Sequence, residues 1–496
     1  MSQTVRQVPG KPNSARTKSR LWSGSGSLLL PFASVATPEL PLGRLMRLSL
    51  FQVSVGMALV LVIGTLNRVM IVELGVPAWL VALMISLPLV LAPFRAIVGH
   101  RSDTHRSVLG WRRLPYLWMG TLLQFGGFAI MPFALIVLSG DAPNAPSFVG
   151  PAASGLAFLL VGAGLHTTQT VGLALATDLA PPHARSRVVT LLCVMLLLGM
   201  LGSALVFGRL LAPFSEFRLI QVIQGAGVLT LVLNFTAVWK QEARDPARHG
   251  LSQPRAPFRE AFRGLGDGVR GKRRLFAVGL GTMAFSMQDV LLEPYGGQVL
   301  HLPVAVTTTL TAMLAVGGLA GFGVSALLLS RGFDRYRLAS LGVLAGLLAF
   351  SALIFAAPAS SPVLFGLGTL LIGLGSALFV VGTLSAAMEQ ARDGQGGLAL
   401  GTWGAVQAFA AGLAILLGGV THDLVGALGM HGRLGATLAV PSTGYGTVYA
   451  IEIVLLFATL VAIGPLAGFR SVLPIPSVPA RLPSAPGPLI QGASLS

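Results

Sequence analysis

The chain has 496 residues, a length that ordinarily means about three soluble domains, yet 53% of it is hydrophobic, only 10% is charged, and its mean hydropathy is +0.77. Ordinary soluble proteins carry about 25% charged residues, so globular domains are excluded and a polytopic membrane protein is indicated, its apolar runs long enough for helices rather than barrel strands. Lys+Arg 34 against Asp+Glu 17 gives a net charge of +17, which in such a chain reports loop orientation before it reports nucleic acid.

In chain order, residues 1–47 are polar, basic and contain Pro and Ser, and read as a disordered cytoplasmic tail. No apolar stretch precedes Leu48, so no cleavable signal peptide is expected. A membrane span needs about 20 apolar residues. Twelve are read, at 48–71, 78–98, 114–138, 152–177, 188–211, 218–239, 275–297, 307–330, 338–357, 362–388, 399–424 and 446–467. The first six make an N-terminal bundle over 48–239, the last six a C-terminal bundle over 275–467, and 468–496 forms a Pro-rich cytoplasmic tail. With both termini inside, the two tails and the loops on their side hold 29 of the 34 basic residues, which is the asymmetry expected of cytoplasmic loops. The linker 240–274 alone holds ten, together with Pro246, Pro254 and Pro257. Orientation and contact with anionic lipid account for it, and no nucleic-acid partner is expected. The single cysteine, Cys193, lies in the apolar run LLCVMLLLG and reads as a buried hydrophobe, so neither a disulfide framework nor a thiolate metal site is expected.

The halves repeat. Gly99-His-Arg-Ser-Asp103 follows the second span and leads to Arg106, Arg112 and Arg113; Ser330-Arg-Gly-Phe-Asp334 follows the eighth and leads to Arg335 and Arg337. Span four ends in Asp178 with Arg185 and Arg187 beyond it, and span ten in Glu389 with Arg392 beyond it. Acids at these helix ends are placed to pair with loop arginines and tie neighbouring helices together. Parallel repeats of six helices describe the major facilitator superfamily fold, an all-α integral membrane architecture of 12 helices in two pseudo-symmetric bundles. The segment at 99–103 resembles that superfamily's G-x-x-x-D-R/K signature, with Thr104 in place of the basic residue. Small-residue pairs such as Gly317/Gly321 and Gly342/Gly346 are spaced to let helix backbones approach.

Ionisable groups inside spans are unfavourable unless paired or hydrated, so they mark function. Asp289 and Glu293, spaced i, i+4 in span seven, are expected on one helical face, with Pro294 and the Gly296-Gly297 pair loosening the helix end. Asn67 and Arg68 lie near the outer end of span one. Arg68 is expected to pair with Glu293 or Asp289, either as a gate on the outer side of the cavity or as a fixed salt bridge. His166, near the middle of span four, has the ordinary role of a hydrogen bond to a neighbouring helix and the alternative one of an axial ligand to the metal of a tetrapyrrole. Thr167 and Gln169 are placed to orient it or to bond a ligand carbonyl. His422, Gln407 and Glu452 are lesser candidates of the same kind. No P-loop, nucleophile elbow or H-E-x-x-H pair occurs, so no enzymatic activity is expected.

Several strings go further: Gly64-Thr-Leu-Asn-Arg-Val-Met-Ile-Val-Glu-Leu-Gly-Val-Pro77, the run from Pro93 to Arg106 continuing to Gly110-Trp-Arg-Arg-Leu-Pro-Tyr116, His166-Thr-Thr-Gln-Thr170, Ala176-Thr-Asp-Leu-Ala180 and Gln288-Asp-Val-Leu-Leu-Glu-Pro-Tyr-Gly-Gly297. Together they resemble the bacteriochlorophyll-delivery branch of the major facilitator superfamily, the PucC and LhaA type proteins of phototrophic bacteria, over about residues 45–467. The resemblance implies a non-enzymatic assembly factor of the bacterial inner or intracytoplasmic photosynthetic membrane. It would bind bacteriochlorophyll as cargo and hand it to nascent light-harvesting antenna polypeptides, with bacteriochlorophyll synthase or the insertion machinery as a further partner. Under that reading His166 is the axial-ligand candidate, and Asp289 and Glu293 have structural or gating roles. The alternative is a secondary transporter in which the two acids carry protons coupled to movement of a small solute or pigment precursor.

Overall fold

The computed structural model describes residues 41–90, 98, 102, 111, 113–140, 146–181, 185–242, 269–389 and 396–467. All regular structure among them is helical. In hydrocarbon no water is available to backbone N–H and C=O groups, and a helix satisfies them within one segment. The helices are α1 Leu42–Glu73, α2 Ala78–Val90, α3 Leu114–Ser139, α4 Val149–Leu179, α5 Arg185–Leu210 and α6 Glu216–Val238. In the second half come α7, which starts at Val269 and runs to Gln298 through a break, α8 Val304–Ser330, α9 Arg335–Ala356, α10 Pro362–Glu389, α11 Gly396–Met430 and α12 Ser442–Ala467. Eleven are long and apolar enough to cross a membrane; α2 is described for 13 residues, and its expected continuation to 98 falls outside the described residues apart from Val98.

Two helices start six residues earlier than hydropathy predicts, where basic residues near their starts have partners on neighbouring helices. In α1, Arg44 Nε and Nη2 donate to the Gln241 side chain and carbonyl beyond α6, at 2.9 and 2.6 Å. In α7, Arg273 Nη2 donates to Val461 O at 2.8 Å and Nε to Ala462 O at 2.9 Å. The Val461 carbonyl is left without its helical donor because Pro465, four residues on, has no N–H.

The packing repeats between halves. In the first half α3 packs on α4 and α6, α1 on α5 and α6, and α2 on α4; adding six to each label gives pairs that also pack in the second half. The halves meet through α2 with α11 and α5 with α8, two pairs that exchange under the same shift. Close approach between helices relies on small residues, since lipid supplies no hydrophobic drive for it. Gly317 of α8 and Gly373 of α10 are reciprocal: a Cβ on the first would strike Leu370 O, and one on the second Leu314 O. Outward, large apolar side chains such as Val363, Val461 and Phe133 stand 64–72% exposed, forming the surface offered to lipid tails.

Candidate functional site

Pro294 has no N–H and its ring crowds the carbonyl four residues back, that of Val290. α7 accordingly runs as Val269–Ser286, tightens into a 3-10 turn at Met287–Val290 and resumes as Leu292–Gln298. Asn67 of α1, fully buried, answers the freed groups: its Nδ2 stands 3.3 Å from both Asp289 O and Val290 O. The break therefore lies before Pro294, not at the glycine pair beyond it. It also separates the two acids. Asp289 and Glu293 do not share one regular helical face; Asp289 lines a cavity, whereas Glu293 turns to α1 and α8. Glu293 Oε1 accepts from Thr311 Oγ1 at 2.6 Å and lies so close to Gly64 that any Cβ there would collide with it.

Arg68 forms no salt bridge with Glu293 or Asp289, although its charge lies near enough to act on Glu293. Its Nη1 is held by Glu73 Oε1 on its own helix, and its Nη2 donates at 3.1 Å to Leu302 O in the α7–α8 connection. The reason is local. α1 widens into π turns at Val60–Thr65 and Val69–Glu73. The i→i+5 closure of a π turn brings residues five apart over one another, where an α-helix would splay them. Arg68 is 3% exposed, so this pairing, the Leu302 bond and the Asn67 contacts fasten α1 to α7 at the end of the bundle away from the basic loops.

The cavity beside Asp289 measures about 190 Å³ and is walled by α7, α8, α10 and α11. Its polar lining is Thr282, Ser286, Gln288, Asp289, Ser376 and Gln407, and Gln288 Nε2 donates to Asp289 Oδ1 at 2.6 Å. Behind it, fully buried Glu452 of α12 accepts from the Gln288 backbone N–H at 2.7 Å and so caps the 3-10 turn. Three of the chain's five tyrosines gather here: Tyr295 lies edge-on to Tyr445 and Tyr449, with centroids at 5.3 and 5.7 Å. Tyr445 OH donates to Gln298 at 2.8 Å and its ring packs 4.2 Å from that of His422. His422 contacts Asp423, whose other oxygen accepts from Trp79 N at 2.7 Å and so ties α11 to the first turn of α2. Sequence reasoning missed this aromatic group and Asp423. The signal was the concentration of a scarce residue type in α7 and α12.

On the basic face, Arg113 forms an ion pair with Asp178 at 2.9 Å and donates to Ser102 Oγ at 2.9 Å. Glu242 accepts from the N–H groups of Arg113 and Leu114, capping α3 with an acid supplied from beyond α6. In the second half Asp334 caps its own helix, accepting from Arg337 N at 2.9 Å, with Arg335 in the first turn. Gly99, Asp103, Arg106 and Arg112 lie outside the described residues, as does the side chain of Arg185.

His166 and Thr167 are buried in α4, at 9% and 7% exposure, and Gln169 lies one turn on. None of the three lines the Asp289 cavity, whose walls come entirely from the second half. The structure thus brings Asn67, Arg68 and Glu293 together, joins Asp289 to Glu452 through Gln288, and leaves His166 apart.

A bundle of this topology, with polar groups at the meeting of α1 and α7 and a polar-lined cavity, defines a multi-pass membrane protein with the major facilitator fold. A solved POT family transporter in complex with a thioalcohol-conjugated peptide superposes with a TM-score of 0.63, covering 88% of this chain and 100% of that one at 13% identity, a likeness of fold alone. The family described as PUCC protein matches residues 65–470, and the chain belongs to it. Protein PucC of Rhodovulum sulfidophilum is 57% identical over 405 residues, 81% of this chain and 89% of the relative. A Rhodobacter capsulatus protein described by its place in the puhA-bchM intergenic region is 55% identical over 446 residues, 90% of this chain and 93% of the relative. The Rhodobacter capsulatus protein named bacteriochlorophyll synthase 44.5 kDa chain is 29% identical over 453 residues, 88% of this chain and 98% of the relative.

Proposed function

We propose that this protein is a non-enzymatic assembly factor for bacterial light-harvesting complexes, acting in the inner or photosynthetic membrane with both termini cytoplasmic, and that it binds bacteriochlorophyll and delivers it to nascent antenna polypeptides. The observation that carries the reading is membership of the PucC family across nearly the whole helical region. The relative named bacteriochlorophyll synthase 44.5 kDa chain supports the link to pigment. The basic loops support the orientation.

The residues limit where pigment binds. The Asp289 cavity, about 190 Å³, is below the ~300–1,000 Å³ of sites for drug-sized ligands, and a tetrapyrrole is larger still. His166 is buried within α4, so a macrocycle reaches its imidazole only when the helices around it part. Protein purified from a bacteriochlorophyll-producing host is expected to carry near-infrared absorption, and His166→Leu to lower the bound pigment or shift its band. Pigment-free preparations from such a host would contradict the binding step. The second reading, a proton-coupled transporter, is favoured by one observation, the membrane-embedded Asp289 lining a cavity in a transporter fold. Reconstituted vesicles showing solute uptake driven by a proton gradient, abolished by Asp289→Asn, would establish it instead.

A further inference from the structure

The Asp289 cavity is too small for pigment, and its chemistry is of one sign. Among the described residues Asp289 forms no ion pair; its carboxylate accepts from the Gln288 amide at 2.6 Å. A carboxylate inside the membrane calls for a compensating charge or for water. Two of the wall residues carry a buried polar atom without a hydrogen-bond partner, Gln288 Oε1 and Thr282 Oγ1, Gln288 being 1% and Thr282 6% exposed. Gln288 Nε2 is committed to Asp289 and to Phe285 O at 3.3 Å, so the oxygen is the end of that amide left over. Ser286, Ser376 and Gln407 add polar groups from three helices. The rest of the wall includes the rings of Phe285 and Phe379, with centroids 6.0 Å apart.

A carboxylate, hydroxyls and aromatic rings together recognise a positive head joined to an apolar body. The volume is far more than a single water needs. A bare metal ion would leave the aromatic and aliphatic half of the wall unused. We propose that this cavity is a binding site for a small organic ammonium ion, its charged nitrogen on Asp289 and its apolar part against Phe285 and Phe379. The site lies wholly in the second half of the chain and stands whether or not the protein carries pigment.

The test uses the full-length protein in lipid nanodiscs and calorimetric titration at constant ionic strength. Benzylammonium chloride is the probe, benzyl alcohol its neutral counterpart and sodium chloride the inorganic competitor. The site is expected to bind benzylammonium saturably, to bind benzyl alcohol about tenfold or more weakly, and to ignore sodium. Asp289→Asn is expected to weaken benzylammonium by about tenfold or more, the range of a charged hydrogen bond. Ser376→Val, on a different helix, is expected to weaken it several-fold and serves if the first variant does not fold. Equal affinity for the alcohol and the ammonium ion, displacement by equimolar sodium, unaltered binding in the variants that fold, or no saturable binding would each overturn the proposal.

Discussion

Gly373→Ile is expected to destabilise the second half strongly, by wedging apart the tight α8–α10 contact. The added side chain meets Leu314 O, a backbone atom that cannot rotate away, so α8 and α10 must separate along their contact. Overpacking of a tight core typically costs about 1–3 kcal/mol, and this site belongs at or beyond the upper end because the obstacle is backbone. Gly317→Ile should behave alike, since Gly317 meets Leu370 O across the same contact. Gly323, on the same helix α8, is exposed with nothing within 4 Å of a Cβ. Gly323→Ala is therefore expected to be neutral or slightly stabilising, because glycine is a poor helix former. Thermal unfolding midpoints in detergent would show this ordering. A Gly373→Ile protein as stable as Gly323→Ala would mean that α8 and α10 do not pack as described.

The second large effect is at Glu452. Its Oε1 accepts the Gln288 N–H at the start of the 3-10 turn, and the residue is fully buried. Glu452→Leu strands that donor in the core, at about 1–3 kcal/mol, and loosens the turn that positions Asp289. Glu452→Gln keeps an acceptor oxygen of the same reach and is expected to retain both stability and antenna assembly. The comparison separates two roles. A cap tolerates the amide, whereas a proton carrier does not. Loss of antenna assembly in a stably folded Glu452→Gln protein would contradict the capping role.

Much of the architecture was legible from hydropathy and charge because the membrane imposes one length and one sign rule on every span. Eleven of the expected spans recur as membrane-length helices, with ends moved where Arg44 and Arg273 found partners on other helices. The site was less legible, and for a definite reason. Pairing Arg68 with Glu293, and placing Asp289 and Glu293 on one face, both assumed unbroken α-helices. The π turns in α1 hand Arg68 to Glu73, and the 3-10 turn before Pro294 sends the two acids different ways. Pro294 itself was visible in the sequence. Its consequence for Asn67 follows from counting back four residues to the carbonyl it frees. The π turns had no comparable signal. The Arg113–Asp178 ion pair needed only that two charged helix ends share a face, and the sequence shows that much.

The most direct test of an antenna-assembly role is deletion of this gene in its phototrophic host, with near-infrared absorption of the membranes compared before and after complementation. Loss or strong reduction of a light-harvesting band is expected while total bacteriochlorophyll synthesis continues. The wild-type chain and Glu452→Gln are expected to restore the band, and Gly373→Ile to leave it missing. Normal antenna bands in the deletion strain would contradict the role.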